Sequence, residues 1–427
     1  MNVVGLITEY NPFHKGHEYH IRKAKELTGA DVCVVIMSGN YVQRGTPAFI
    51  DKHTRTRIAL NHGADVVFEL PLPFACSSAE YFATAAVTLL EKLGIINHIC
   101  FGSECQDISK LNHIASILVD AKNNSAHELN LLIKENVKAG LSYASARSTA
   151  LSVYLSEDCS SILDMPNNIL AIEYLKALKI LNSTITPIAI ARTNAAYHDN
   201  DENHKLYSAS SVRSAITSSY DNSNINNDIN IMDELYSFDI EYKNTLGKTA
   251  PITENDFSSI TSEKLLSACL HGCTDSTLVA YMGIDNDLAN RMSDRDILYT
   301  HTCYSDLIDK LKTKNIAYTS ISRALLAITL GIYKSDITSY IDNGISSYIR
   351  LLGFNRASSA ILNEIKKNGE LTIIGQLSEI NDKINLNSLD KKMLSHSIYC
   401  DELYNMIVRN KYKHPFTNEH QRKIIIT

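Results

Sequence analysis

The segment VVGLITEYNPFHKGHEYH, residues 3–20, constrains the chain most, because it joins an apolar β-branched run to a helix through a short loop. Val3 to Thr8 reads as a buried strand and Asn11-Pro12 as the turn that ends it. The helix is expected from about His17 to Leu27, with Gly29 as its stop. Two histidines and a lysine, His14-Lys15-Gly16-His17, therefore meet at a helix start. Such a start presents unpaired N–H groups and partial positive charge, and Gly16 lets a ligand approach the backbone, so this is a phosphate site. A metal is the alternative, since His14, His17 and His20 recur at i, i+3 spacing, but no neighbouring Cys or Asp completes a ligand set. The GxxxxGK[ST] spacing is missing here, so any phosphate chemistry uses another architecture than the Walker loop.

The alternation continues along the first half. Strand-like runs at 31–38, 65–70, 98–102 and 185–191 are separated by amphipathic segments at 52–61, 78–93, 108–155 and 168–181. That is an α/β fold, a Rossmann-like parallel sheet with crossover helices, in which 108–155 reads as a helical insert. A last short helix opens near Ser210, closing a first domain over 1–220. Residues 221–260 are acidic and rich in Asn and Ser, which suggests a linker or flexible connection. Beyond it, 261–427 reads as a mostly helical domain, for example at 321–330 and 358–367, with a possible strand at 371–374.

A chain of 427 residues that is 44% hydrophobic has ample material for two cores. It lacks an apolar run long enough to span a membrane and a basic, cleavable N-terminus, so a soluble cytoplasmic protein is expected. Its nine cysteines include no CxxC pair, which fits reduced thiols. Net charge is −6, but residues 301–427 carry 17 Lys and Arg against 12 Asp and Glu, a net of +5 that leaves −11 for the rest. Lys310, Lys312, Lys314, Arg323, Arg350 and Arg356 cluster there, with Tyr318 and Tyr348 interleaved. Such a field could hold a phosphate backbone, with aromatic rings available for unpaired bases, or could simply be a solvated helical surface.

Ligands of parallel sheets sit at the C-terminal edge of the strands, and several loops there carry suitable residues. Ser38-Gly39-Asn40 and Gln43-Arg44-Gly45 follow the second strand, Gly102-Ser103-Glu104 the fourth, and Arg192-Thr193 the fifth. Ser208 to Arg213, SASSVR, opens a helix with hydroxyls and an arginine in its first turn, a combination that caps the helix and can grip phosphates.

HKGH followed by SASSVR is similar to the HxGH and ISSTxxR pair of the nucleotidyltransferase superfamily. More closely, GLITEYNPFHKGHEYH, SGNYVQRG, FGSE, PNNILAIEYLKAL, the segment 192–199 and LLGFNR resemble the bacterial tRNA(Met) cytidine acetate ligase family, over nearly the whole chain. Ala171 stands where glycine is expected after PNNIL, and Ser211 and Val212 vary the hydroxyl-rich motif.

The resemblance implies a nucleotidyltransferase fold and an enzyme that forms acetyl-adenylate from ATP and acetate. The acetyl group would pass to N4 of the wobble cytidine, C34, of elongator tRNA(Met). His14 and His17 would hold the triphosphate and the transition state, with Lys15 near the phosphates and Arg213 on the leaving group. Ile7, Thr8, Glu9, Tyr10, Asn11, Phe13, Gly16, His20, Gly102, Asn167, Arg192, Thr193 and Ser208 would complete the ATP site. Mg²⁺ would bridge phosphates, with no metal held by the protein alone, and no protein partner is implied. A general base stays open between a histidine and Glu104. Two other readings are AMP transfer to a small phosphorylated acceptor and a nucleotide- or RNA-binding module without catalysis.

Overall fold

The computed structural model describes residues 1–105, 107–191, 208–220, 225–271, 276–380 and 385–427. Eight strands form the main sheet: β1 (Val3–Thr8), β2 (Val32–Ser38), β3 (Val66–Leu70), β4 (His98–Ser103), β5 (Thr186–Ala191), β6 (Tyr348–Phe354), β7 (Thr372–Ile374) and β8 (Ile425–Ile426). Their order is β8-β6-β3-β2-β1-β4-β5, with β7 also beside β6. All pairings are parallel except β3 with β6. The parallel α/β expectation therefore holds for the first five strands. Their shared C-terminal edge gathers Thr8, Ser38, Leu70, Ser103 and Ala191.

The central strands are apolar on both faces because both are covered. Along β2, Val34 and Ile36 enter one core while Cys33, Val35 and Met37 enter the other. The second core is closed by α1 (Lys15–Thr28) and α2 (Lys52–Asn61) through Ile21, Ala24, Ile58 and Ala59. The first is closed by α3 (Ala79–Lys92) and α4 (Pro166–Ile180) through Phe82, Leu89, Ile172 and Leu175. A Cβ on Gly5 would lie 2.9 Å from Leu90, so glycine lets α3 lie flush on β1. Residues 108–155 form three helices, Ile108–Asn123, Glu128–Lys138 and Tyr143–Leu155.

Later elements are α5 (Ala209–Tyr220), α6 (Ile225–Phe238), α7 (Tyr318–Leu330) and α8 (Ser388–Tyr412). The acidic stretch read as a linker is largely helical: α6 is followed by a short helix over Ile240–Thr245. Leu235, Tyr242 and Leu246 are buried in the second core, and these apolar anchors outweigh the polar composition. The C-terminal part is not all helix either. It supplies β6, which docks antiparallel on β3, and through β6 also β7 and β8. A separate apolar core lies among helices from Leu265 to Ile328.

Candidate active site

The phosphate loop is built at the end of β1. His14 is the N-cap of α1, and its Nδ1 accepts the Gly16 N–H at 3.0 Å, while His17 Nδ1 accepts the His14 N–H at 3.3 Å. This reciprocal cap starts the helix at Lys15, two residues earlier than its apolar pattern indicates, because an imidazole takes the role usually read from Ser, Thr or Asp. The two rings lie 3.8 Å apart, and His17 also packs edge-on against Tyr10. With both Nδ1 atoms accepting, the proton of each neutral ring resides on Nε2, so each ring is preset as an Nε2–H donor. Lys15 pairs with Glu234 of α6 at 2.9 Å.

Tyr10 adopts φ +49°, an uncommon backbone for a residue other than glycine, and its ring is buried. The turn around it is held from three sides. Phe49 N–H donates to Asn11 Oδ1 at 2.7 Å, Arg213 of α5 donates to the Asn11 carbonyl at 2.5 Å, and Tyr242 OH donates to the Phe13 carbonyl. His62 adds a fourth tie, lying between Glu18 at 3.0 Å and Asp239 at 3.2 Å while stacked on Phe238.

Arg55 sits beneath this edge, fully buried. Its guanidinium donates to the carbonyls of Glu9, Ser38, Gly39 and Ile50, thereby joining the loops that follow β1 and β2. Glu9 accepts the Gln43 N–H at 2.9 Å; burial pushes its carboxyl up, opposed by Arg213, Arg44 and Arg55. We expect Arg55→Lys to lower stability by about 2 kcal/mol, since an ammonium cannot serve four carbonyls at once. A urea midpoint that does not move would refute this role for the guanidinium.

The end of β4 meets the start of α4. Asn168 is buried, and its Oδ1 accepts from Ser103 Oγ at 2.7 Å and from Cys105 N–H at 2.9 Å. Glu104 accepts from the Asn168 N–H at 3.1 Å and from the Asn167 side chain, so this carboxylate occupies a helix N-terminus. That engagement ties both Glu104 oxygens to the start of α4. Gly102 lies at the same edge, opposite Ile190 in register. Ser208 caps α5 by accepting the Ser211 N–H at 3.1 Å. Arg192 and Thr193 lie outside the described residues. Among the described residues, no group of three or more His, Cys, Asp or Glu is placed to hold a metal ion.

Comparison with known proteins matches this arrangement. A family model described as HIGH Nucleotidyl Transferase covers residues 1–419. The tRNA(Met) cytidine acetate ligase of Acetivibrio thermocellus is 35% identical over 432 residues, covering 100% of both chains. The enzyme of the same name from Clostridium perfringens is 39% identical over 396 residues, covering 89% of this chain and 90% of that one. The chain belongs to this ligase family of HIGH nucleotidyltransferases. A crystal structure of Thermotoga maritima TmcAL bound with alpha-thio ATP superposes with a TM-score of 0.84 at 26% identity, covering 100% of this chain and 99% of that one. Its apo form gives 0.85 at 27% identity.

The basic residues of the C-terminal part are not one surface. Lys312, Lys314 and Arg356 are exposed. Lys310 is half-buried and engaged with Asp306 at 3.1 Å and the Thr300 carbonyl at 2.7 Å. Arg323 is half-buried against the Gln43 carbonyl at 3.4 Å. Arg350 must be removed from the expected RNA contacts, because it is buried on β6. There it faces Glu419 at 3.0 Å, Glu69 at 3.3 Å and Asp401 at 3.5 Å. Lys52, wholly inaccessible, meets the same three carboxylates, at 2.8 Å for Glu69 and 3.3 Å for Glu419. Sequence reasoning missed Lys52 and Arg55, since α2 also carries Ile58, Ala59 and Leu60 and so reads as an ordinary amphipathic helix.

Proposed function

We propose that this chain is a tRNA(Met) cytidine acetate ligase that makes acetyl-adenylate from ATP and acetate. It then acetylates N4 of C34 in elongator tRNA(Met). The observation that carries the reading is the pair of capped imidazoles at the start of α1, fixed as Nε2–H donors beside Arg213 at the C-terminal edge of a parallel sheet. An acetate oxygen attacks the α-phosphorus, the Pα–O–Pβ bond breaks, and pyrophosphate leaves. Charge grows on the phosphoryl oxygens and the leaving group, where fixed donors stabilise it without reorganisation. The cytidine amine then attacks the acyl carbon, AMP departs, and N4 loses one proton.

His14 and His17 serve the triphosphate, and Arg213 the leaving pyrophosphate. Lys15 is released from Glu234 to a phosphate when ATP binds. Gly102 and Asn167 flank the nucleoside, with Arg192 and Thr193 next along the chain. The donors at the phosphate end do not suit a protein-held Mg²⁺: Glu9 is engaged with Gln43 N–H and surrounded by arginines, and among the described residues no group of three or more His, Cys, Asp or Glu is placed to hold an ion. Mg²⁺ therefore enters as the counter-ion of ATP. Both large substrates, ATP and tRNA, are cytoplasmic, and no described helix is long and apolar enough to cross a membrane.

The test is incubation with ATP and labelled acetate, with and without tRNA. Acetyl-adenylate and acetylated tRNA support the ligase, AMP transfer elsewhere supports a different nucleotidyltransferase, and no ATP consumption removes both. For the RNA, the exposed Lys312, Lys314 and Arg356 are the leading phosphate contacts, and the half-buried Lys310 and Arg323 are secondary ones. Alanine at Lys312 and Lys314 together should weaken tRNA binding and make the slope of log affinity against log salt shallower by about two. An unchanged slope removes these two contacts.

A further inference from the structure

The hairpin after β2, formed by Tyr41–Val42 and Thr46–Pro47, is pinned at every corner. Tyr41 OH donates to the Cys400 carbonyl at 2.9 Å, Gln43 N–H is held by Glu9, and Ser322 Oγ donates to the Gly45 carbonyl at 2.8 Å. Gly45 has φ +79°, and a Cβ there would lie 2.3 Å from the backbone nitrogen of Arg323, so α7 rests directly on the turn. The residue at the tip of this rigid turn is Arg44, which is exposed.

Its surroundings are rich in arginine. Arg44, Arg55 and Arg213 lie within electrostatic range of Glu9, and Arg323 touches the same turn. Glu254 is in range of Arg213, and Asp51 and Glu69 are in range of the buried Arg55. Arg55 is spent on four carbonyls, whereas Arg213 gives only Nη1 to the Asn11 carbonyl and Arg323 gives Nη1 to the Gln43 carbonyl. Among the described residues, Arg44 has no hydrogen bond or ion pair. An exposed guanidinium held on a fixed turn, beside Arg213 and with its own donors unengaged, matches the fork geometry of a phosphate.

We infer that Arg44 is a phosphate-binding residue of this site, reaching either the triphosphate of the nucleotide or a backbone phosphate of the RNA brought to it. The inference rests on the acetate-ligase reading. Arg44→Ala and Arg44→Lys proteins are compared with wild type in ATP–pyrophosphate exchange with acetate and in tRNA binding across a salt series. A rise of about tenfold or more in KM for ATP, largely restored by lysine, identifies the triphosphate. A comparable loss of tRNA affinity, with the salt slope shallower by about one, identifies the RNA backbone. If wild type performs both reactions and a folded Arg44→Ala protein matches it in KM, affinity and slope, this inference alone is overturned. A wild-type protein inert in both assays removes the ligase reading and this inference with it.

Discussion

His17→Ala is expected to slow acetate-dependent ATP–pyrophosphate exchange by on the order of 10²–10³-fold, the usual loss when one fixed donor to a developing charge is removed. Two effects combine. The Nε2–H donor disappears, and the His14 N–H loses the Nδ1 acceptor that closes the cap at 3.3 Å. The second effect is structural and modest, about 1 kcal/mol for a lost helix cap. His17→Gln, which can accept the cap hydrogen bond, separates the two: it should recover stability but little of the rate. Exchange at the wild-type rate in His17→Ala, measured at saturating ATP and acetate, would show that the paired imidazoles are scaffold and nothing more.

The second large effect concerns stability. Lys52→Met should cost about 3–5 kcal/mol in chemical denaturation, because it leaves three buried carboxylates facing Arg350 alone, with His53 beside them. Glu69, Asp401 and Glu419 carry three negative charges against the two positive ones of Lys52 and Arg350. Burial pushes the Asp401 carboxyl up to about 8, opposed by Lys52 and Arg350, while Lys52 and His53 hold Glu419 well below the ordinary carboxylate range against its own burial. The cluster also supports the site loop. Asn40 Nδ2 donates to Asp401 at 2.9 Å, the Lys52 N–H donates to Asn40 Oδ1 at 2.9 Å, and a Cβ on Gly39 would strike Glu69. A loss below 1 kcal/mol would mean that the carboxylates take up protons at little cost.

These two predictions differ in how readable they were from the sequence. His14 and His17 lie within four consecutive residues shortly after one strand, and local pattern suffices to place them at a helix start. The parallel strands through 191 were legible for the same reason, being near-continuous apolar runs. Lys52, Arg350, Asp401 and Glu419 come from positions far apart in the chain, and nothing local separates a buried lysine from a solvated one. Arg350 was misassigned to a basic surface because β6 draws it into the sheet through pairing with β3, a contact between residues almost three hundred apart. The stretch 225–245 was misjudged by composition, although a few apolar side chains such as Leu235 and Tyr242 decide its packing.

The antiparallel addition of β6 to β3 has a consequence for the order of synthesis. A ribosome delivers β1, β2 and β3 long before residues 348–427 emerge, and until then β3 has an open edge. Lys52 meanwhile has only Glu69 of its three carboxylate partners, and Asn40 lacks Asp401. The nascent chain can lay down its phosphate loop early, but the support beneath Gly39 and Asn40 arrives only with β6, α8 and Glu419. Glu419, well beyond β6 in the chain, closes it.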